Sequence, residues 1–324
     1  MSVATLPARI YQVRLEASDT ISLELRAAEA TTPLPVAAPG AHIDLHLAPG
    51  LVRSYSLIHT EAPGRYTVAV LRDRASRGGS QHVHEKLRVG QVIQISVPRN
   101  HFALHEDAPE SVLLAGGIGI TPLYAMLERL AHLGRRAHLI YCARSRSDAA
   151  FVNEIEMLLS TQSQLSVHFH WNDEQGAAPD LSRLLSGFGS DAHFYCCGPG
   201  LMLDAYEKAC AQLGYRHVHM ERFAALAPAP GPSTPSEGYT VELKKSGKSV
   251  HVPAGTSLLD ALLAAGCNVE YSCREGTCGA CETRVVSGEV EHRDSILTGD
   301  ERTAGKFMMI CVSGCRSSHL VLDA

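Results

Sequence analysis

Apolar and polar residues alternate in short runs through the first hundred residues of the chain. Arg9–Leu15, Ile21–Leu25, His42–Leu47, Arg53–Leu57, Tyr66–Leu71 and Val92–Val97 are short and strand-like, many with a two-residue period, and Gly, Pro and Asp punctuate them. Strands at that spacing predict a small antiparallel β-barrel over residues 1–105. From about residue 106 the pattern changes. Val112–Ala115, Ala137–Cys142, Leu165–Trp171 and His193–Cys197 read as strands, whereas Leu123–Leu133, Asp148–Leu159 and Leu201–Leu213 read as helices. Strand–helix alternation over 106–224 predicts an α/β layer, a parallel sheet with helices on both faces. Residues 225–237, ALAPAPGPSTPSE, lose all periodicity and read as a semi-rigid linker. The last segment, 238–324, opens with Tyr239–Leu243 and Ser249–Val252 around KKSGK, a hairpin. A short helix, Ser257–Ala265, follows with Ser257 as its N-cap.

Composition narrows the classes. At 324 residues, two to three domains are expected, and 45% hydrophobic with 19% charged residues is a globular balance. The net charge is −5, with no basic stripe of the kind that nucleic acid requires. No apolar run reaches the roughly 18–20 residues of a membrane span. The opening residues lack a basic segment followed by an apolar one, so the chain is expected in the cytoplasm. There, its ten cysteines point away from a disulfide framework and towards metal or redox chemistry.

Six of those cysteines lie between Cys267 and Cys315, both included. Cys273, Cys278 and Cys281 form C-x4-C-x2-C, and Cys311 follows after 29 intervening residues. This is the plant-type [2Fe–2S] spacing. Gly276, Gly279 and Ala280 permit the tight turns that a loop curling around a cluster needs. Structural zinc is the competing reading, but zinc ribbons offer two paired C-x2-C knuckles and this chain has one. Cys315 could replace Cys311 as fourth ligand; it is expected to be a bystander, and Cys267 a core residue.

The middle segment carries two glycine-rich turns, each between a strand and a helix. Ala115-Gly-Gly117-Ile-Gly-Ile-Thr121-Pro122 allows a nucleotide to approach the backbone, with Thr121 and Pro122 as N-cap and first helical residue. It is not G-x-G-x-x-G, so a standard dinucleotide fold is not implied. Cys197-Gly198-Pro199-Gly200 forms the second turn, and ligands of open α/β sheets bind at such strand ends. Asp173, just past a strand, could accept ribose hydroxyls and repel a 2′-phosphate, favouring NADH. Arg144 and Arg146 pull towards NADPH, because two guanidiniums could grip that phosphate. The 17 histidines show no H-E-x-x-H or other ligand spacing. In the first segment, alternation puts Arg53, Tyr55 and Leu57 on one strand face and Ser54 and Ser56 on the other. Farther on, Gly78-Gly79-Ser80 offers N–H groups and a hydroxyl suited to a phosphate.

The set R-x-Y-S, GGS, GGIGITP, YCCGP, E-R-F before a linker, and a plant-type ferredoxin module resembles the phthalate dioxygenase reductase family over nearly the whole chain. Members are reductase components of Rieske non-haem iron oxygenases, the vanillate-type demethylases among them. The resemblance implies an antiparallel flavin barrel, a ferredoxin-reductase-like α/β nucleotide domain and a C-terminal β-grasp ferredoxin domain. It implies FMN held by Arg53, Tyr55, Ser56, Gly79 and Ser80. NADH would be held by Gly117, Thr121, Arg144, Asp173, Cys197 and Gly198, with Phe223 beside the flavin. Ser56 and Cys197 would stand closest to the hydride transfer, Ser56 as a hydrogen-bond partner of the flavin. The cluster ligands would be Cys273, Cys278, Cys281 and Cys311. Arg222 departs from the small residue of the family pattern.

The implied chemistry takes a hydride from NADH onto flavin and passes single electrons through the cluster to an oxygenase on another polypeptide. No cysteine here has a histidine two positions later, as a Rieske ligand pair would, so the oxygenase is not expected in this chain. A stand-alone NAD(P)H reductase serving another acceptor is the alternative, and an electron-carrier module on an inert scaffold a third. The partner contact is expected to be transient, near Arg274 and Glu275 at the cluster loop, and the chain monomeric.

Overall fold

The computed structural model describes residues 4–29, 31–224 and 238–324, and the linker read at 225–237 lies outside them. Two compact units divide the chain, Thr5–Arg222 and the part from Phe223 to Ala324.

The larger unit begins with six strands: β1 (Thr5–Ala17), β2 (Thr20–Ala27), β3 (His42–Ala48), β4 (Leu51–Ile58), β5 (Arg65–Leu71) and β6 (Val92–Ser96). They form a closed barrel in the order β1-β2-β5-β4-β3-β6. Every neighbouring pair is antiparallel, and closure comes from β1 meeting β6, with Thr5 opposite Ser96. Alternation sends Ile10, Leu23, Leu25, Ile43, Leu45 and Val68 inwards, where they lie fully buried. Helix α1 (Gly79–Lys86) leaves the barrel after Gly78, whose φ of +90° is open to glycine at little cost.

The α/β layer follows: β7 (Ser111–Gly116), a 3-10 turn (Gly117–Gly119), α2 (Ile120–His132), β8 (Ala137–Ala143), α3 (Val152–Thr161) and β9 (Leu165–Trp171). It continues with α4 (Asn172–Gln175), α5 (Leu181–Leu184), β10 (His193–Cys197), α6 (Gly200–Leu213) and β11 (His217–Glu221). The sheet order is β11-β10-β7-β8-β9, and all its pairs are parallel. Continuously apolar strands give it two cores. Leu113, Ala115, Leu139 and Tyr141 pack towards α2 and α3, and Val112, Leu114, Ile140 and Phe194 towards α5 and α6.

Two sequence readings are corrected here. The helix expected over Asp148–Leu159 begins only at Val152, because Ser145 caps a separate 3-10 turn and Phe151 takes a φ of +63°. Thr121 is not an N-cap. The 3-10 turn runs straight into α2, so Gly119 takes that place and the Thr121 hydroxyl donates to the Ile118 carbonyl at 3.0 Å.

The smaller unit holds β12 (Tyr239–Leu243), β13 (Lys248–Val252), α7 (Leu258–Ala264), β14 (Glu282–Ser287), β15 (Val290–Glu291), α8 (Gly299–Ala304), β16 (Phe307–Met309), β17 (Gly314–Cys315) and β18 (His319–Leu322). Its main sheet runs β13-β12-β18-β14-β16, with β12 and β18 parallel at the centre, the β-grasp arrangement. The hairpin is present, and Ser257 caps α7 by accepting the Asp260 amide at 3.1 Å. No described helix is long and apolar enough to cross a membrane.

Candidate functional site

In the larger unit, β4 and the loop before α1 come together. The Arg53 side chain lies along Gly79, so closely that a Cβ on Gly79 would sit 2.5 Å from the Arg53 Cγ. Its guanidinium donates to the Arg77 carbonyl at 3.1 Å and to the Val52 carbonyl at 2.8 Å. A cation is thereby held over the N-terminus of a two-turn helix, where N–H groups and helix dipole both favour an anion. Ser80 is tied into the same loop, its hydroxyl 3.0 Å from the Ser76 hydroxyl and accepting the Asp73 amide at 3.2 Å. Tyr55 packs against the barrel core, and burial pushes its hydroxyl up to about 12. This arrangement could hold a phosphate.

Both glycine turns of the sheet lie at strand C-termini and interlock. A Cβ on Gly119 would stand 2.1 Å from the Cys197 carbonyl oxygen, and one on Gly116 2.7 Å from the Pro199 ring. Gly117 takes a φ of +54° with open space beside it. Cys197 is fully buried, and desolvation raises its thiol far above the ordinary range, so it stays neutral. At the neighbouring strand ends the Asp173 amide donates to the Arg144 carbonyl at 2.9 Å, and both side chains are exposed. Arg146 pairs with Glu156 at 2.9 Å, with both side chains about half exposed.

Ser56, buried on β4, lies close to the carboxyl group of Glu221, the last residue of β11. Parallel pairing sets Glu221 beside Cys197. Burial raises the Glu221 carboxyl to about 8, and the nearby Ser56 hydroxyl opposes that rise. The Oε2 atom of Glu221 is buried with no hydrogen-bond partner. Sequence reasoning missed Glu221. It was visible only as the first letter of E-R-F, and nothing local distinguishes it from a surface glutamate. Arg222 next to it pairs with Asp204 at 2.9 Å. Phe223 is exposed and belongs to the smaller unit, so it is not among the residues gathered here.

In the smaller unit the four cysteines converge as two pairs. Cys281 and Cys311 sulfurs are 3.1 Å apart. Cys273 is paired with Cys278, whose hydrogen bond, together with the Glu275 amide and Thr277, lowers the Cys273 thiol to about 6 against the opposing effect of burial. The Glu275 N–H reaches the Cys273 sulfur at 3.3 Å. Arg274, Gly276 and Gly279 all take left-handed φ, which curls the loop around the thiols. At Gly276 a Cβ would collide with Val312 at 2.6 Å. Two thiol pairs with inward N–H donors fit a two-iron cluster, one pair per iron. Cys315 pairs instead with the Ser317 hydroxyl at 3.1 Å on β17, and Cys267 lies in the core, both as expected. Arg274 is held at 3.2 Å from Asp260.

Comparison with known proteins agrees with both units. The profile of the 2Fe-2S iron-sulfur cluster binding domain matches residues 241–316, and that of the oxidoreductase NAD-binding domain matches residues 113–208. The β subunit of phenoxybenzoate dioxygenase from Ectopseudomonas oleovorans is 44% identical over 99% of this chain and 98% of its own. Among solved structures, phthalate dioxygenase reductase, a modular structure for electron transfer from pyridine nucleotides to [2Fe–2S], is 35% identical, with a TM-score of 0.69 over 99% of this chain and 98% of its own. An intact type IV self-sufficient cytochrome P450 monooxygenase is 36% identical with a TM-score of 0.88. This chain spans 99% of itself but only 41% of that protein's length.

Proposed function

The chain belongs to the phthalate dioxygenase reductase family of oxidoreductases, and from that membership we propose that it is the NADH-dependent FMN/[2Fe–2S] reductase component of a Rieske-type oxygenase system. The single observation that carries the proposal is the presence, in one chain, of the Arg53–Gly79 anion cradle, the interlocked glycine turns and the paired cysteines. Division of labour follows: residues 1–105 for the flavin, 106–224 for the nucleotide, 225–237 as linker and 238–324 for the cluster. When bound, a flavin takes up a hydride and gives electrons singly, and a [2Fe–2S] cluster carries them one at a time.

The chain's own residues hold, orient and protonate. Arg53, Gly79 and Ser80 hold the flavin phosphate, and Tyr55 and Ser56 line its strand. Gly117 and Thr121 shape the nucleotide turn, and Cys197 and Gly198 close it from the neighbouring strand. Asp173 takes ribose hydroxyls and repels a 2′-phosphate, which supports NADH over NADPH. Ser56 lies beside Glu221, which keeps a proton on its carboxyl at neutral pH. Phe223 is assigned to the flavin on the family pattern alone. Ten cysteines free of disulfides support a cytoplasmic location. The chain acts as a monomer that meets its oxygenase transiently.

An anaerobic titration of purified protein with NADH tests the reading. Flavin and cluster absorption should both bleach, with oxidised oxygenase restoring them. A colourless protein with zinc in place of iron would end it. A second reading has one specific observation behind it: the likeness to a cytochrome P450 monooxygenase points to a haem acceptor instead. Restoration by a haem oxygenase and not by a Rieske one would select it.

Glu221 gives a second expectation. Its folded-state value, about 8, lies above the ordinary carboxylate range, so the fold favours the protonated form. Stability should therefore fall as pH rises from the ordinary carboxylate value through about 8. Glu221→Gln, which stays neutral, should flatten that fall in melting temperatures measured at pH 6 and pH 9. Parallel curves for the two proteins would refute the assignment.

A further inference from the structure

Away from the glycine turns, the opposite end of the strands of the same parallel sheet gathers histidines. His193 is the first residue of β10 and His217 the first of β11, and register places them side by side. Their rings stack with centroids 4.3 Å apart and planes within 6°. His219, two residues along β11, returns to the same face, its ring 5.3 Å from that of His193. His105 arrives from the segment before β7, with centroids 4.7 Å from His193 and 5.0 Å from His219. That segment is anchored, because the His105 amide donates to the Tyr195 hydroxyl at 2.9 Å.

One ring nitrogen from each of His105, His193 and His219 lies within 4.8 Å of the other two. The closest pair, His193 Nδ1 and His219 Nε2, is 3.1 Å apart. Imidazoles around a tetrahedral ion at about 2.0–2.1 Å place their nitrogens a little over 3 Å from one another. Two of the three are therefore already at coordination spacing. His105 is exposed and needs only a side-chain adjustment to complete the set. Burial first, then the neighbouring histidines, pushes His193 and His219 down to about 4, which leaves both rings uncharged at neutral pH.

We propose that His105, His193 and His219 form a binding site for a divalent transition-metal ion that prefers imidazole, zinc foremost, with a fourth position open to water. Such a donor set selects zinc, copper or nickel over magnesium or calcium, which prefer oxygen. The ion would fasten the segment before β7 to β10 and β11. It lies towards the N-terminal ends of β10 and β11, whereas Cys197 and the glycine turns lie at the C-terminal strand ends, so its role is structural and not in hydride transfer. An N–H···N hydrogen bond between His193 and His219, with the His105 ring packed on both, is the plain alternative, and zinc retention separates the two.

The test uses holoprotein with its flavin and cluster intact, dialysed against zinc and then against zinc-free buffer. One zinc per chain should remain beyond the iron. His105→Gln and His219→Gln should each weaken zinc binding by at least about tenfold, since even outer partners of metal ligands cost 10–100-fold. Zinc should also raise the melting temperature of the parent protein and not that of His105→Gln. NADH-dependent ferricyanide reduction should be the same in parent and His105→Gln, which shows that this exposed variant folds. Parent protein that retains no zinc, or variants that retain as much as the parent, would overturn the site.

Discussion

Cys311→Ala is expected to leave the smaller unit without iron. Cys311 is 3.1 Å from Cys281 and supplies half of one thiol pair, and it comes from a different part of the chain than the loop carrying the other three. Loss of an outer partner of a metal ligand already costs about 10–100-fold in affinity, so removal of a ligand itself should exceed about 100-fold. Iron and sulfide analysis should fall to near zero, and reduction of a one-electron protein acceptor should fall by at least the same factor. Flavin content should match the parent. Cys315→Ala is the contrast: its sulfur faces Ser317, so the cluster should remain. Loss of iron in Cys315→Ala with retention in Cys311→Ala would reverse the ligand assignment.

Gly119→Ala should be the most damaging single methyl group in the α/β layer. Its Cβ would lie 2.1 Å from the Cys197 carbonyl oxygen and 2.4 Å from the carbonyl carbon, both backbone atoms that cannot rotate away. Overpacking of this kind costs about 3 kcal/mol. For a unit of this size that is a fall of about 6–12 °C in melting temperature. The displaced turns also form the proposed nucleotide site, where misplacement by about 1 Å can cost 100-fold. Steady-state kinetics should therefore show a loss in kcat/KM for NADH of at least about tenfold. Gly189→Ala, with open space and no positive φ, should change neither quantity. Equal melting temperatures for the two variants would show that the turns do not interlock as described.

What was legible in the sequence was what is written locally. Strands β9, β10 and β12 have the bounds that periodicity gives, because β10 is a contiguous apolar run and β9 and β12 alternate. The cysteine cluster was legible because three of its four members share one loop, and the two glycine turns because each follows a strand. What was not legible depends on register. Glu221 meets Ser56 only through the order of strands. His193 and His219 meet only because β10 and β11 run parallel and in step. β11 itself escaped notice because His217 and His219 occupy positions where an apolar residue would signal a strand. The Thr121 reading failed for a local reason: a 3-10 turn can lead directly into a helix, so the best capping residue need not be the cap.

Strand β11 has a consequence for how the protein is made. It is the outermost strand beside β10 and the last element of the larger unit. Until the ribosome has released it, β10 is an unpaired edge and Ser56 has no carboxyl beside it. The barrel can close as soon as β6 emerges, but the α/β layer stays open at one side for the rest of that unit's synthesis. A stop codon just before His217 should thus yield an aggregation-prone fragment, whereas one just after Arg222 should release a product with every strand of its sheet paired.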